Sequence, residues 1–251
     1  MQAIILAAGV GSRLGIVDGE RRPKCLLEIG GMSLLDRHLQ LLERAGVGPV
    51  TLVTGFQAGI LADAVRTAVQ APRLCHNPDY ERGSVLSLDA AADVLTSGDE
   101  VLVMDADVLY HPAILARLVA APRADLFLLD RDFEPGDEPV KLCVAGGQLM
   151  EFRKRPDPGD YEVVGESVGF FRLSAAMAAR LAGVTAAYAA DGRGDQPHEE
   201  AIRDLLRADP AAFDYLDITG LPWIEIDFPA DVERARQEIL PALANADEAN
   251  A

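Results

Sequence analysis

The sequence predicts an α/β fold: a mixed, mainly parallel sheet covered by helices on both faces, with a small antiparallel insertion in its second half. Three observations carry this expectation. Short apolar runs of strand length alternate with helix-like stretches through residues 1–130, the pattern of parallel strands joined by crossover helices. After that the rhythm changes, and two apolar runs flank Gly146-Gly147, a hairpin signal. Composition is ordinary for a globular chain: of 251 residues, 49% are hydrophobic and 25% charged, enough apolar material for one sizeable core. A single domain over 1–251 is expected at this length.

Each element has its own local reason. Ala3-Ile4-Ile5-Leu6-Ala7-Ala8 is long enough for one buried strand. Residues 33–45 read as a helix, with Ser33 placed to cap it and Leu34, Leu35, His38, Leu41, Leu42 and Ala45 at helical spacing. Strand 50–54, helix 57–70 and a short strand 73–76 follow. Residues 84–95 read as helix, with Ser84 placed to cap it, 100–104 as a fourth strand, 112–120 as helix and 125–129 as a fifth strand. The hairpin strands are 140–145 and 148–153, and a further strand is expected at 163–173. Helices at 175–181 and 198–206, a strand at 223–226 and a helix from Pro229 complete the reading. The alanine-rich tail after Pro241 is expected to fray.

Charge and cysteine usage exclude several function classes. The net charge is −17 and the pI about 4.5, which argues against nucleic-acid binding. No apolar run approaches the roughly 18 residues of a membrane span. The N-terminal residues carry no basic segment before their apolar run, so a cytoplasmic rather than an exported protein is expected. Cys25, Cys75 and Cys143 are odd in number and far apart, as in a reducing compartment. The four histidines are equally scattered and form no transition-metal cluster in sequence.

The chemistry is concentrated at the start. Gly9-Val10-Gly11-Ser12-Arg13-Leu14-Gly15 follows the first strand, and Arg21-Arg22-Pro23-Lys24 precedes the next apolar segment. Glycines let backbone N–H groups approach phosphate oxygens, and Arg13 and Lys24 add full charges beside them. The first fifty residues hold six Lys/Arg against five Asp/Glu, a balance of +1, so the remainder carries −18. The loop is not a Walker A motif, because no Gly-Lys-Ser/Thr triplet closes it. It is not a dinucleotide fingerprint either, since the glycines read G-x-G-x-x-x-G. Asp105-Ala106-Asp107 stands at the carboxyl end of the fourth strand, the edge where open α/β sheets bind ligands. Hard carboxylate oxygens there suit Mg²⁺, with turn formation as the plain alternative. In Trp223-Ile224-Glu225-Ile226-Asp227-Phe228-Pro229, alternation puts Trp223, Glu225 and Asp227 on one face. An N-cap role for Asp227 is the plain alternative there. Lys141 interrupts an apolar strand and Lys154 ends the next; solvated edge lysines are the ordinary explanation.

The run Leu6-Ala7-Ala8-Gly9-x-Gly11-x-Arg13-Leu14 followed by Pro23-Lys24 closely resembles the signature of the nucleotidyltransferase superfamily. Trp223-x-Glu225-Ile226-Asp227-x-Pro229-x-Asp231 is similar to the late motif of its phosphocholine, inositol-phosphate and phosphonate cytidylyltransferase branch. The resemblance implies a Rossmann-like three-layer α/β/α nucleotidyltransferase fold, with a nucleotide-binding half at 1–130 and an acceptor-binding half at 131–251. It implies that Leu6, Ala8, Gly9, Gly11 and Asp105 bind nucleotide, and that Gly83 and Ser84 contact the base. It puts Arg13 and Lys24 on the phosphates and Mg²⁺ on Asp107 and Asp227, with Lys141, Lys154, Glu166, His198 and Glu199 toward the acceptor. The expected reaction transfers CMP from CTP to a small phosphate or phosphonate with release of pyrophosphate, without nucleic-acid or membrane partners, and it admits a homodimer. The phosphocholine enzymes carry aromatics near the last acceptor position, whereas this chain has Pro197-His198-Glu199-Glu200, so a polyol phosphate or amino-phosphonate fits as well. A sugar-1-phosphate nucleotidyltransferase using another nucleotide is the nearest alternative. An Asp-x-Asp glycosyltransferase would leave Lys24 without a task, and a catalytically dead nucleotide sensor would not need Lys24, Asp107 and Asp227 together.

Overall fold

In a computed structural model, which describes residues 1–17, 19, 21–68 and 71–243, the strands and helices alternate as follows. β1 (Gln2–Ala7) leads through a loop to the short pair β2 (Glu28–Ile29) and β3 (Met32–Ser33), then α1 (Leu34–Arg44) and β4 (Val50–Thr54). α2 (Ala58–Ala64), β5 (Arg73–His76), α3 (Val85–Ala90) and α4 (Ala92–Leu95) precede β6 (Val101–Asp105), β7 (Val108–Tyr110), α5 (Pro112–Ala120) and β8 (Leu126–Asp130). The second half holds β9 (Lys141–Ala145), β10 (Gln148–Arg153), β11 (Val163–Leu173), α6 (Ala175–Ala190) and α7 (His198–Ala208). β12 (Asp214–Asp217), β13 (Trp223–Glu225) and α8 (Pro229–Arg234) follow, and the chain continues from α8 into a π-helical stretch over Ala235–Ile239.

The central sheet runs β10-β9-β11-β6-β1-β4-β5, with β8 on the other side of β11 and β12 beside β8. β6, β1, β4 and β5 are mutually parallel, while β11 lies antiparallel to β6, β8 and β9. Both faces are buried, and the period of two sorts the strand residues between them. Ile4, Val53, Val101 and Val103 face a core completed by Leu88 of α3, Leu95 of α4, Leu181 of α6 and Ile202 of α7. Ala3, Ile5, Leu52, Leu102 and Met104 face the opposite core, with Leu39 of α1, Leu61 of α2 and Leu115 of α5. The mixed three-layer architecture with an antiparallel addition is the one expected.

β11 places the pocket. Residues 163–166 pair with β9 and residues 170–173 with β6 on the same edge of the strand, while β8 occupies the other edge. Between these two pairings β6 ends and the β9–β10 hairpin diverges, which opens a crevice beside Asp105. A third, smaller core of Leu14, Ile29, Leu34, Leu109, Ile224, Ile226 and Val232 ties the glycine loop, β7, β13 and α8 together next to it.

Several elements differ from expectation. Helix 84–95 is two helices broken at Ala91, whose φ and ψ are −95° and 21°; no glycine or proline marks the break. Helix 57–70 ends sooner, α2 giving way to a 3-10 turn at Val65–Thr67, and residues 69–70 lie outside the described residues. The helix expected at 175–181 runs on to Ala190, because the alanine-rich continuation outweighs the roughly 1 kcal/mol penalty of Gly183. β7, β12 and the β2–β3 pair were not expected; three-residue and half-exposed strands have too few positions to show periodicity. The tail expected to fray falls from residue 244 onward outside the described residues. Among the described residues no helix is long and apolar enough to cross a membrane.

Candidate active site

A cavity of about 360 Å³ opens at the carboxyl ends of β1 and β6, lined by Leu6, Ala8, Gly9, Gly11, Arg13 and Lys24 on one side and by Asp105, Asp107 and Asp227 at its centre. Gly11 has φ +61°, and a Cβ there would stand 3.1 Å from Lys24 Cγ. A side chain at that position would therefore push Lys24 from its course along the loop. Lys24 opens a 3-10 turn over Lys24–Leu26 whose Cys25 is buried. Its ammonium thus stands on a rigid support.

The two distant acids meet through a small ladder. β7 pairs antiparallel with β13, Glu225 opposite Val108, and the Ile226 N–H donates to the Asp107 carbonyl at 2.9 Å. The alternative of a helix cap for Asp227 does not hold. Asp231 Oδ2 accepts the backbone N–H groups of Asp227 and Phe228 at 2.9 and 2.7 Å, which leaves the Asp227 side chain for the pocket. Lys24 Nζ then donates to Asp107 Oδ2 at 2.8 Å and to Asp227 Oδ1 at 2.5 Å. Burial works against the Lys24 charge, but Asp107 and Asp227 outweigh it and raise the pKa above the usual lysine value. Lys24 is a fixed cation. Carboxylate oxygens of Asp107, Glu225 and Asp227 lie within 4.8 Å of one another, an all-oxygen set that fits a hard divalent cation. Burial, then Asp107 and Asp227, push Glu225 well above the usual carboxylate range. Three negative charges this close favour either a proton or a cation among them.

Arg13 reaches the same centre from the mouth. Its NH2 donates to Asp227 Oδ2 at 2.6 Å, its NH1 to Glu138 Oε2, and its guanidinium lies 5.3 Å from the centroid of the Phe228 ring. Lys154 Nζ donates to the same Glu138 oxygen at 3.0 Å from across the pocket.

The far wall joins the base-side and acceptor-side candidates directly. Ser84 was expected to cap its helix, yet its hydroxyl makes no cap bond. Instead Oγ accepts the His198 N–H at 2.8 Å and lies 3.0 Å from His198 Nδ1. His198 Nε2 and Glu199 Oε2 are buried without a hydrogen-bond partner, and Nε2 is 3.9 Å from Asp105 Oδ1. Burial, then Asp107 and Glu199, raise the Asp105 pKa well above its ordinary value. Gly169, with φ +79°, makes room for that carboxylate, since a Cβ there would fall 2.2 Å from Asp105 Oδ2.

Three expected residues do not line this cavity. Lys141 Nζ is held by the carbonyls of Gly136, Lys154 and Pro139 at 2.6, 2.7 and 3.2 Å, so its charge fastens backbone and does not face a ligand. Glu166 lies opposite Lys141 on β9 and Asp130 on β8, where burial and then Asp130 raise its pKa to about 7. Gly83 lies against the loop between α6 and α7, a Cβ there falling 2.3 Å from the Gln196 carbonyl oxygen. Sequence reasoning gave no role to Glu138, Glu225, Ser87, Ser167 or Gly169. Glu225 was legible by alternation with Asp227; Glu138 has no local signal beyond an acidic loop.

Residues 3–149 match the MobA-like NTP transferase domain. The CMP-5′-(3-aminopropyl)phosphonate synthase of Streptomyces rubellomurinus is 32% identical over 247 residues, covering 94% of this chain and 38% of the relative. The bifunctional IPC transferase and DIPP synthase of Rubrobacter xylanophilus is 26% identical over 242 residues, covering 95% of this chain and 52% of the relative. The chain therefore spans between about a third and a half of the length of these relatives. Among solved structures, the inositol-1-phosphate CTP transferase of T. maritima superposes with a TM-score of 0.76 at 19% identity, covering 98% of this chain and 96% of that one; at that identity the likeness is one of fold.

Proposed function

Because the chain belongs to the MobA-like NTP transferase domain family, we propose that it is a cytidylyltransferase that transfers CMP from CTP to a small phosphate or phosphonate, releasing pyrophosphate. The observation that carries this reading is Lys24 held between Asp107 and Asp227 beside the glycine loop. An acceptor oxygen forms its bond to the α-phosphorus while the bond from that phosphorus to the bridging oxygen breaks and pyrophosphate leaves. An acceptor phosphate has its second pKa near about 6, so at neutral pH it attacks largely as a dianion and no general base is required.

The difficulty is electrostatic, because two anions must approach. Loop amides at Gly9 and Gly11 with the Arg13 guanidinium orient the triphosphate, and Lys24 faces the charge that develops on the α-phosphate. Asp107 and Asp227, with Glu225 as their neighbour, would hold Mg²⁺, which supplies positive charge to the triphosphate oxygens. Asp107, Glu225 and Asp227 thus have a task that neither a glycosyltransferase reading nor a sensor reading gives to Lys24 at the same time.

For the acceptor, an aminoalkyl phosphonate or phosphate comes first. Lys154 can meet its anionic end, while Glu199 beside His198 offers a carboxylate for an ammonium. The 3-aminopropylphosphonate in the name of the Streptomyces relative supports the same choice. The test is pyrophosphate release with Mg²⁺, crossing CTP, UTP, GTP and ATP with 3-aminopropylphosphonate, 2-aminoethylphosphonate, phosphocholine, inositol-1-phosphate and glucose-1-phosphate. Turnover with CTP and an amino-phosphonate, lost in Asp107→Ala, is the expected result. Turnover confined to glucose-1-phosphate would overturn it in favour of a sugar-phosphate enzyme.

A further inference from the structure

The segment between β8 and β9, residues 131–140, is an irregular strap that meets the pocket through Val140, which lines it, and through Glu138, which bonds the lining residues Arg13 and Lys154. Its side chains and backbone are pinned at several points. Asp137 pairs with Arg155 at 3.0 Å and Glu134 with Arg234 at 3.8 Å. Lys141 fastens the carbonyls of Gly136 and Pro139 to that of Lys154. Glu138 is the strap's inward acid. Its Oε2 accepts from Arg13, which belongs to the glycine loop, and from Lys154 at 3.0 Å, which ends the hairpin on the opposite wall. Lys154, and then Arg13, hold the Glu138 carboxyl below the usual carboxylate range.

A carboxylate seated between two cations from opposite walls is the arrangement a phosphate oxygen would adopt there. We propose that Glu138 is a built-in competitor for the nucleotide phosphates, occupying the Arg13 guanidinium that the triphosphate must take over, while its second bond keeps Lys154 from the acceptor until Glu138 is released. This rests on the cytidylyltransferase reading and adds a regulation of that site. Because the backbone on either side of Glu138 is pinned, the exchange is a side-chain rotation and leaves the strap in place. Return of Glu138 to the two cations would likewise help to expel pyrophosphate after transfer.

The test compares Glu138→Gln with Asp137→Asn, which removes the same charge from the neighbouring residue but not from the pocket. Binding of CTP with Mg²⁺ is measured by calorimetry without acceptor, at two salt concentrations, after thermal melts have confirmed that both variants are folded. Glu138 is half-exposed, so release of its two ion pairs should tighten CTP by about two- to tenfold at low salt and by less at high salt. Asp137→Asn should stay within about twofold of wild type. Unchanged or weaker binding by Glu138→Gln, or equal tightening by Asp137→Asn, overturns the competitor. Failure of the wild type and both variants to bind CTP at all overturns the cytidylyltransferase reading, and this inference with it.

Discussion

Replacing Arg203 by methionine tests how the acceptor wall is held, because among the described residues its guanidinium is the cation bonded to the buried Glu151 carboxylate. Glu151 on β10 is 2% exposed and Arg203 on α7 is 7% exposed. Arg203 NH2 donates to Glu151 Oε2 at 2.7 Å, its Nε to Oε1, and NH2 also reaches Asp157 Oδ2 at 2.8 Å. Without Arg203, Glu151 keeps the Phe152 N–H at 2.9 Å and a long contact from the Asp157 N–H at 3.4 Å. Removing one member of a buried ion pair costs about 3–5 kcal/mol, which for a chain of this size lowers Tm by about 6–20 °C. The pH dependence has a definite sign. Burial works to raise the Glu151 pKa, but the bonds from Arg203 hold it below its ordinary value. The pair's contribution is therefore present at neutral pH and lost as pH falls through the folded pKa. In Arg203→Met the isolated carboxylate prefers to be protonated, so the gap in Tm to wild type should narrow from pH 7.5 to pH 4.5. Thermal melts followed by circular dichroism measure both quantities. A gap below about 1 kcal/mol, or one that does not change with pH, would refute the account.

Three further outcomes are expected. Lys24→Met should lower turnover by about 10²–10³-fold in the pyrophosphate-release assay. Gly169→Ala places a Cβ 2.2 Å from Asp105 Oδ2 at φ +79°; it should lose about 1–3 kcal/mol in urea unfolding and shift KM for the acceptor more than Gly147→Ala, whose Cβ meets nothing within 4 Å. Glu166, raised to about 7 by burial and then by Asp130, binds its proton more tightly folded than unfolded, where its pKa is about 4.3. Stability should then fall as pH rises from about 4.3 to about 7. Glu166→Gln should remove that fall, so that its advantage in Tm over wild type grows from pH 5 to pH 8; a constant difference would sink the assignment.

How much of this was legible in the sequence follows from how each residue is placed. Asp105 and Asp107 could be located because a strand of apolar residues delivers whatever follows it to one edge of the sheet. The glycine loop was legible for the same reason, since it directly follows β1. Asp227 required the motif, because alternation puts it on one face with Trp223 and Glu225 but does not show the pairing of β13 with β7, a strand of three residues, that brings it to Asp107. Lys141 shows the opposite failure. A lone lysine in an apolar strand indicates that its side chain leaves the core, but not where it goes, and here three carbonyls from residues 136, 139 and 154 take its ammonium. Ser84 was read locally as a cap, yet the loop closure that brings Pro197 and His198 alongside gives its hydroxyl a better partner 114 positions away. Backbone placement is thus written near the residue, in apolar runs, caps and glycines. The pairing of charges is written in loops that close only when the whole sheet has formed. Glu138 belongs to that second class, which is why the residue that meets Arg13 in space carries no mark of it in the sequence around either one.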